Sequence, residues 1–186
     1  MIGIIQKDNK ILRLKAKEVL IKDIKSKNII DIIQNMKEAL QEQDDGVAIA
    51  APQIGESLRI FVVSGKATRI MEEKDELANK DLPEENSLSQ KEYPYLTFIN
   101  PKILKTSKKK NLLEEGCLSV RHFYGKVPRA NKITIKACDE EGLPFSRGAS
   151  GLLAQIFQHE IDHLEGVLFI DKAQDLIEVR PKSKNL

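Results

Sequence analysis

The chain predicts an α+β fold: a mostly antiparallel sheet packed around a central helix, with a second helix near the N-terminus. Three observations carry this. Apolar residues recur at helical spacing in two separated stretches, 23–43 and 151–164. Between them lie several short apolar or β-branched runs bounded by glycine, proline or charged turn residues. The helical stretches flank the strands rather than alternate with them, which favours antiparallel pairing.

In chain order, residues 2–5 are apolar and fit either a short strand or an extended arm, and 10–19 read as irregular. The first helix is expected over 23–43, with Ile24, Ile29, Ile30, Ile33, Met36 and Leu40 on one face, ended by Asp44-Asp45-Gly46. Residues 46–55 are small and uncharged, and 58–63 form a β-branched, buried strand. Residues 64–94 change texture to charged, with Leu82-Pro83 and Tyr93-Pro94 as breakers, and read as an inserted surface loop with a short helix near 70–78. Strand material follows at 96–100 and 102–104 around Pro101, then a basic turn at 105–111 taken as a solvated hairpin tip. Further strands are expected at 112–120, 132–137 and 143–145, the last two joined by Asp139-Glu140-Glu141-Gly142. Ser150 is the expected N-cap of the second helix, and Gly166 stands near its C′ position. Residues 167–170 fit a final strand or an apolar closure, and 180–186 a polar tail.

The chain has 186 residues, 41% apolar and 31% charged, which suits one domain over 1–186 carrying the charged insertion at about 64–94. Net charge is +2 with both signs mixed, so bulk charge gives no case for a nucleic-acid or membrane partner. No apolar run approaches the ~20 residues of a spanning helix. The N-terminus lacks a signal peptide's apolar region and cleavage site. Two cysteines, Cys117 and Cys138, are too few for a disulfide framework. The expected location is the cytoplasm, with both thiols reduced.

The central helix carries His159-Glu160-Ile161-Asp162-His163. Spacing of four puts both imidazoles on one face, able to share a metal ion with a carboxylate beside it. The stripe begins as packing: Leu152 and Ile156 precede His159 and His163 on the same line. Leu153, Phe157, Ile161 and Leu164 form a second, core-facing stripe, so the helix is largely buried. A pair of histidines needs a third ligand. Cys117, in Glu114-Glu115-Gly116-Cys117-Leu118-Ser119, would complete a Cys-His-His set and leave a fourth position open, as a catalytic metal requires. His122 and Glu165 are the alternatives, but Glu165 lies two residues past His163 at a helix end and points elsewhere.

With these segments in hand, the chain resembles the peptide deformylases. Their glycine-rich segment ending in glutamine is similar to Gly46-Val47-Ala48-Ile49-Ala50-Ala51-Pro52-Gln53. Their E-G-C-L-S segment is matched by Glu115 to Ser119, and Q-H-E-x-D-H by Gln158 to His163. The resemblance covers nearly the whole chain outside 64–94. It implies a metal-dependent hydrolase that removes the N-formyl group from the formylmethionine of nascent proteins. It also implies that Cys117, His159 and His163 bind one divalent metal, usually Fe²⁺, with Zn²⁺, Ni²⁺ or Co²⁺ as substitutes. Glu160 is then the general base and acid for a metal-bound hydroxide attacking the formyl carbon, while Gln53 and the backbone N–H of Leu118 hold the oxyanion. The implied partners are nascent formylated chains, met at the ribosome by a monomer.

Small residues at 46, 48, 50 and 51, and Gly116 opposite, allow close approach of a peptide backbone. An extended substrate is expected between Val47 and Gly116-Leu118 as an added strand, with Leu152 and Ile156 lining a methionine pocket or, alternatively, packing as core. Ala48 replaces the family's second glycine and Arg121 its usual proline, which bears on substrate fit and the pocket rim. Asp162 and Arg129 are expected either to orient ligands or to form a plain salt bridge. The insertion fits a surface loop, with a lid or docking element as the alternative. Two rival readings remain. A zinc peptidase lacks a suitable downstream ligand and leaves Gln53 unexplained. An inactive metal-binding or ribosome-associated module has no need of Glu160 or Gln53.

Overall fold

The computed structural model describes residues 2–67, 69–70 and 94–179. Most of the insertion, the short helix expected near 70–78 and the tail at 180–186 lie outside the described residues. The first helix, α1 (Lys27–Gln41), buries Ile29, Ile32, Ile33, Met36 and Leu40. It starts at Lys27 rather than 23, because a 3₁₀ turn at Ile21–Asp23 intervenes and Ser26 caps the true start, its Oγ accepting from Ile29 N at 3.4 Å. Ile24 is buried ahead of the helix, and Ile30, expected on the apolar face, is 54% exposed. The N-terminal arm is extended rather than a strand, and Ile5 N donates to Gln53 O at 2.8 Å.

The strands are β1 (Ala48–Ala50), β2 (Ile60–Val63), β3 (Leu96–Thr106), β4 (Lys110–Cys117), β5 (Val120–Ala130), β6 (Lys132–Cys138), β7 (Pro144–Ser150) and β8 (Gln174–Glu178). The second helix, α2, spans Gly151–Leu164. One sheet has the order β1-β2-β3-β6-β7 and the other β4-β5-β8, and every ladder is antiparallel. β2 is buried along its whole length because helices cover both faces. Strand alternation sends Phe61 and Val63 towards α2, where Leu153, Phe157 and Ile161 meet them, and Ile60 and Val62 towards α1. Phe61 stacks on Phe98 at 4.5 Å, and Phe157 meets Phe98 edge-on at 4.9 Å. On its other side α2 contacts β5, so it lies between the sheets. A third cluster of Leu12, Val120, Val127, Leu168 and Phe169 closes the end that holds Cys117.

Several boundaries differ from the sequence reading. β3 runs unbroken through Pro101, because Asn100 (φ 53) and Pro101 form a bulge between the Ile99↔Cys138 and Lys102↔Lys136 pairs. Asn100 fixes that bulge by bonding both Val19 N and Val19 O at 2.8 Å. The basic turn at 105–111 is a crossing between sheets and not a hairpin tip: β3 pairs with β6, whereas β4 pairs with β5. The true hairpin turns at Leu118 and Ser119, with Cys117 opposite Val120. β5 escaped the pattern search because Arg121, His122, Gly125 and Pro128 interrupt its alternation. Pro128 is tolerated beyond Lys126, the last residue that β8 pairs. The stretch at 167–170 forms a 3₁₀ turn, Phe169–Asp171, and the final strand, β8, comes after it.

Candidate metal centre

Helix α2 points two histidines at one spot. Ser150 occupies its N-cap position with extended backbone but makes no side-chain cap bond. At the other end Gly166 (φ 75) closes the helix, and a Cβ there would lie 2.6 Å from Arg13 O, so only glycine fits. His159 is 12% exposed and His163 buried, with ring centroids 5.0 Å apart. The β4–β5 hairpin carries Cys117 to them, its Sγ 3.2 Å from His163 Nε2. Among the described residues, Cys117, His159 and His163 form a group whose ligand atoms all lie within 4.8 Å of one another. Burial pushes the Cys117 thiol up, but the His163 and His159 imidazoles outweigh this and bring it down to about 5. The thiolate is therefore the stable form at neutral pH, as a metal ligand must be.

A buried ion pair holds the first imidazole. Glu115 Oε2 lies 2.9 Å from His159 Nδ1, and Arg129 grips Glu115 through two bonds, Nε to Oε1 at 2.7 Å and Nη2 to Oε2 at 2.8 Å. Burial alone would raise the Glu115 carboxyl; the bonds from Arg129 and His159 reverse this and hold it at about 2. An ionised Glu115 accepts a hydrogen bond from the Nδ1–H, which keeps the proton on that nitrogen and turns Nε2 towards Cys117 and His163. Arg129 also reaches Asp162 at 2.6 Å, and Lys172 bonds the same carboxylate at 2.7 Å. The Asp162–Arg129 contact is thus an ion pair that shares its guanidinium with Glu115. Gln158 joins α2 to β5 by exchanging bonds with Ala130 N and O at 2.9 and 3.0 Å.

Gln53 is buried in a 3₁₀ turn, Ala51–Ile54, directly after β1. Its Oε1 accepts from Ala50 N at 2.8 Å, which turns Nε2 towards Ser119 Oγ at 3.1 Å and Cys117 Sγ at 3.6 Å. Leu118 sits at the hairpin tip, its carbonyl held by Gln6 Nε2 at 3.1 Å. Glu160 is 3% exposed, and among the described residues its Oε2 has no hydrogen-bond partner, nor has His163 Nδ1. Burial raises the Glu160 carboxyl, the two imidazoles pull it down, and Cys117 and Glu115 push it up again, leaving it at about 7. A thiolate, two imidazoles and an unpartnered buried carboxylate oxygen are a donor set and surroundings that suit a divalent cation.

A cavity of about 340 Å³ opens onto this group. Its lining includes Gln53, Cys117, Leu118, His159 and Glu160 together with Val47, Gly116, Leu152 and Ile156, while His163 lies behind the wall. The other ligand candidates are placed elsewhere. Glu165 is bound by Arg59 at 2.6 Å and Lys15 at 2.9 Å, and His122 lines the cavity outside the ligand group. Ala48 joins the core cluster with Phe61 and Val63. Sequence reading gave no role to Glu115, Gln158, Ser119 or Arg59. For Glu115 a signal existed: it stands two residues before Cys117 on a strand, hence on the same face.

Comparison with known proteins identifies the family. The family model described as polypeptide deformylase matches residues 1–178. The peptide deformylase of Halothermothrix orenii is 41% identical over 163 residues, 87% of this chain and 86% of that one. That of Dictyoglomus turgidum is 41% identical over 164 residues, 88% and 86% of the two chains. Among solved structures, a Synechococcus elongatus peptide deformylase in complex with actinonin superposes with a TM-score of 0.72 at 31% identity, covering 94% of this chain and 79% of that one. A Met-Ala-Ser-bound class I type b peptide deformylase from Acinetobacter baumannii gives 0.74 at 30% identity, covering 92% and 97%.

Proposed function

The chain belongs to the polypeptide deformylase family, and from that premise we propose that Cys117, His159 and His163 hold its metal ion, that Glu160 moves the proton, and that Gln53 and the Leu118 N–H bind the oxyanion. The activity follows from membership: a metal-dependent hydrolase that removes the N-formyl group from nascent proteins. The observation that carries the assignment of residues is the convergence of the three ligand atoms within 4.8 Å beside an unpartnered, buried Glu160 oxygen.

A divalent ion held by Cys117, His159 and His163 would supply Lewis acidity and bring the pKa of a water down to about 7. Glu160 accepts a proton from the attacking water and returns it to the amine nitrogen as the C–N bond breaks, leaving formate and a free N-terminus. As the formyl carbon becomes tetrahedral, its oxygen gains charge. Gln53 Nε2 is locked in orientation by Ala50 N and donates to that oxygen, with the Leu118 N–H as second donor; each is worth roughly 3–4 kcal/mol. Ferrous iron is the proposed occupant, with Zn²⁺, Ni²⁺ and Co²⁺ as substitutes.

Leu152 and Ile156 line the proposed methionine pocket, and the Met-Ala-Ser peptide held by the Acinetobacter relative supports a methionine-led chain here. Val47 gives its carbonyl to Ser64 N at 2.9 Å, so strand alternation leaves the Ala48 backbone groups on the outer edge of β1 for a peptide. Val47 and Gly116 then form the channel walls. The remaining proposals are a single domain over 1–186, a cytoplasmic monomer and action on chains emerging from the ribosome. No described helix is long and apolar enough to cross a membrane.

The test is formate release from a formyl-methionyl peptide by iron-loaded protein prepared without oxygen. Glu160→Ala is expected to keep the metal and lose turnover, and Cys117→Ala to lose the metal. Full activity in Glu160→Ala would overturn the assigned role.

A further inference from the structure

We propose that Arg121 is a positioning residue: it clamps the loop before β1 over the cavity mouth and so sets how tightly a formylated peptide is held. The substrate named here rests on the deformylase reading; the clamp itself rests on geometry alone. Arg121 Nη1 lies 3.2 and 2.8 Å from the two carboxylate oxygens of Asp45, and Nη2 lies 2.5 Å from Gln43 Oε1. Gln43 is anchored in turn, its Nε2 donating to Ala39 O at 3.4 Å and its carbonyl accepting from Lys66 Nζ at 3.1 Å. One guanidinium thus ties the 43–46 loop to the start of β5, and Gln43 in turn reaches the end of α1 at Ala39.

The clamped loop forms part of the cavity wall beside Leu118. A Cβ at Gly46 would lie 2.8 Å from Leu40 Cδ1, 3.0 Å from Gln43 Cβ and 3.4 Å from Leu118 Cδ1. The loop is thus crowded by Leu40 and Gln43 and lies in ordinary contact with the side chain of Leu118, the proposed oxyanion donor. Asp45, Gly46, Val47, Leu118 and Arg121 all line the one cavity. The residue type matters: a guanidinium can serve a carboxylate and an amide together, whereas an ammonium is a single point charge and a proline offers neither bond.

The Arg121 and Asp45 side chains are 36% and 63% exposed, so the pair is partly screened by solvent and by salt. Its effect is accordingly modest, and it falls on binding and not on chemistry. Arg121→Ala is expected to raise KM for a formyl-methionyl peptide about three- to fivefold with kcat within twofold. Asp45→Asn should act in the same direction, and Arg121→Lys should recover part of the loss. Raising NaCl from 0.1 to 1 M should raise KM in the parent towards the Arg121→Ala value and leave the variant nearly unchanged. Amide exchange at Asp45, Gly46 and Val47, followed by mass spectrometry, should be at least threefold faster in Arg121→Ala. Unchanged KM and unchanged exchange would overturn the clamp, as would a fall in kcat at constant KM. If the parent releases no formate, the deformylase reading fails, and the exchange measurement still decides the clamp.

Discussion

Glu115 Oε2 stands 2.9 Å from His159 Nδ1, with Arg129 bonded to both oxygens of the same carboxylate. A metal-ligating histidine depends on such a partner for its tautomer and ring orientation. Glu115→Gln keeps the shape but loses the charge and the bidentate grip on Arg129. Metal affinity is expected to fall 10- to 100-fold, read by competition with a chelator. Affinity within twofold of the parent would show that His159 is oriented by packing alone.

Glu160 sets an opposition between function and stability. Its carboxyl rises from 4.5 to about 7 when no cation is beside it. The folded state then binds the proton more tightly than the unfolded chain, so this group's stabilisation is complete below pH 4.5 and declines as pH rises through about 7. At about 1.4 kcal/mol for each tenfold change in proton affinity, the decline is on the order of 3 kcal/mol. Chelator-treated Glu160→Gln should therefore gain on the parent between pH 5 and pH 8, measured by urea unfolding. An equal gap at both pH values would contradict the raised proton affinity.

Gly166 tests the closure of the metal helix. It combines a φ of 75° with a site where a Cβ would meet Arg13 O at 2.6 Å, an atom of the backbone. Gly166→Ala is expected to destabilise the fold by about 2 kcal/mol or more, seen as a lowered thermal midpoint. A midpoint unchanged within error would mean that the 13–14 segment moves freely away from the helix end.

The site was more legible in the sequence than the sheet. His159, Glu160 and His163 are fixed by local spacing on one helix, and Cys117 and Gln53 each sit in a short segment of unusual composition. α2 was read correctly because helical spacing continues without a glycine or proline breaker from Leu152 to Leu164. β5 was missed because Arg121, His122, Gly125 and Pro128 break its apolar alternation. The crossing at 105–111 looked like a hairpin tip because chain neighbours usually pair, and nothing local tells that β3 turns instead to β6. Glu115 was visible only as a motif letter, since its role depends on Arg129, which the β4–β5 ladder brings opposite Asn111.

Ile156 distinguishes pocket from core on the catalytic helix. It is 4% exposed and belongs to the core cluster with Phe157 and Ile161, yet it also lines the cavity one turn before His159. Ile156→Ala enlarges the cavity and removes core packing, so the fold should lose about 2–4 kcal/mol. Ile156→Trp instead fills the cavity where a methionine side chain would lie. The larger residue is expected to raise KM for a formyl-methionyl peptide more than for a formyl-alanyl peptide, lowering discrimination between them tenfold or more. Kinetics with both peptides, on protein whose metal content matches the parent, provide the check. Unchanged discrimination in Ile156→Trp would assign this residue to the core alone and move the methionine pocket to another wall of the cavity.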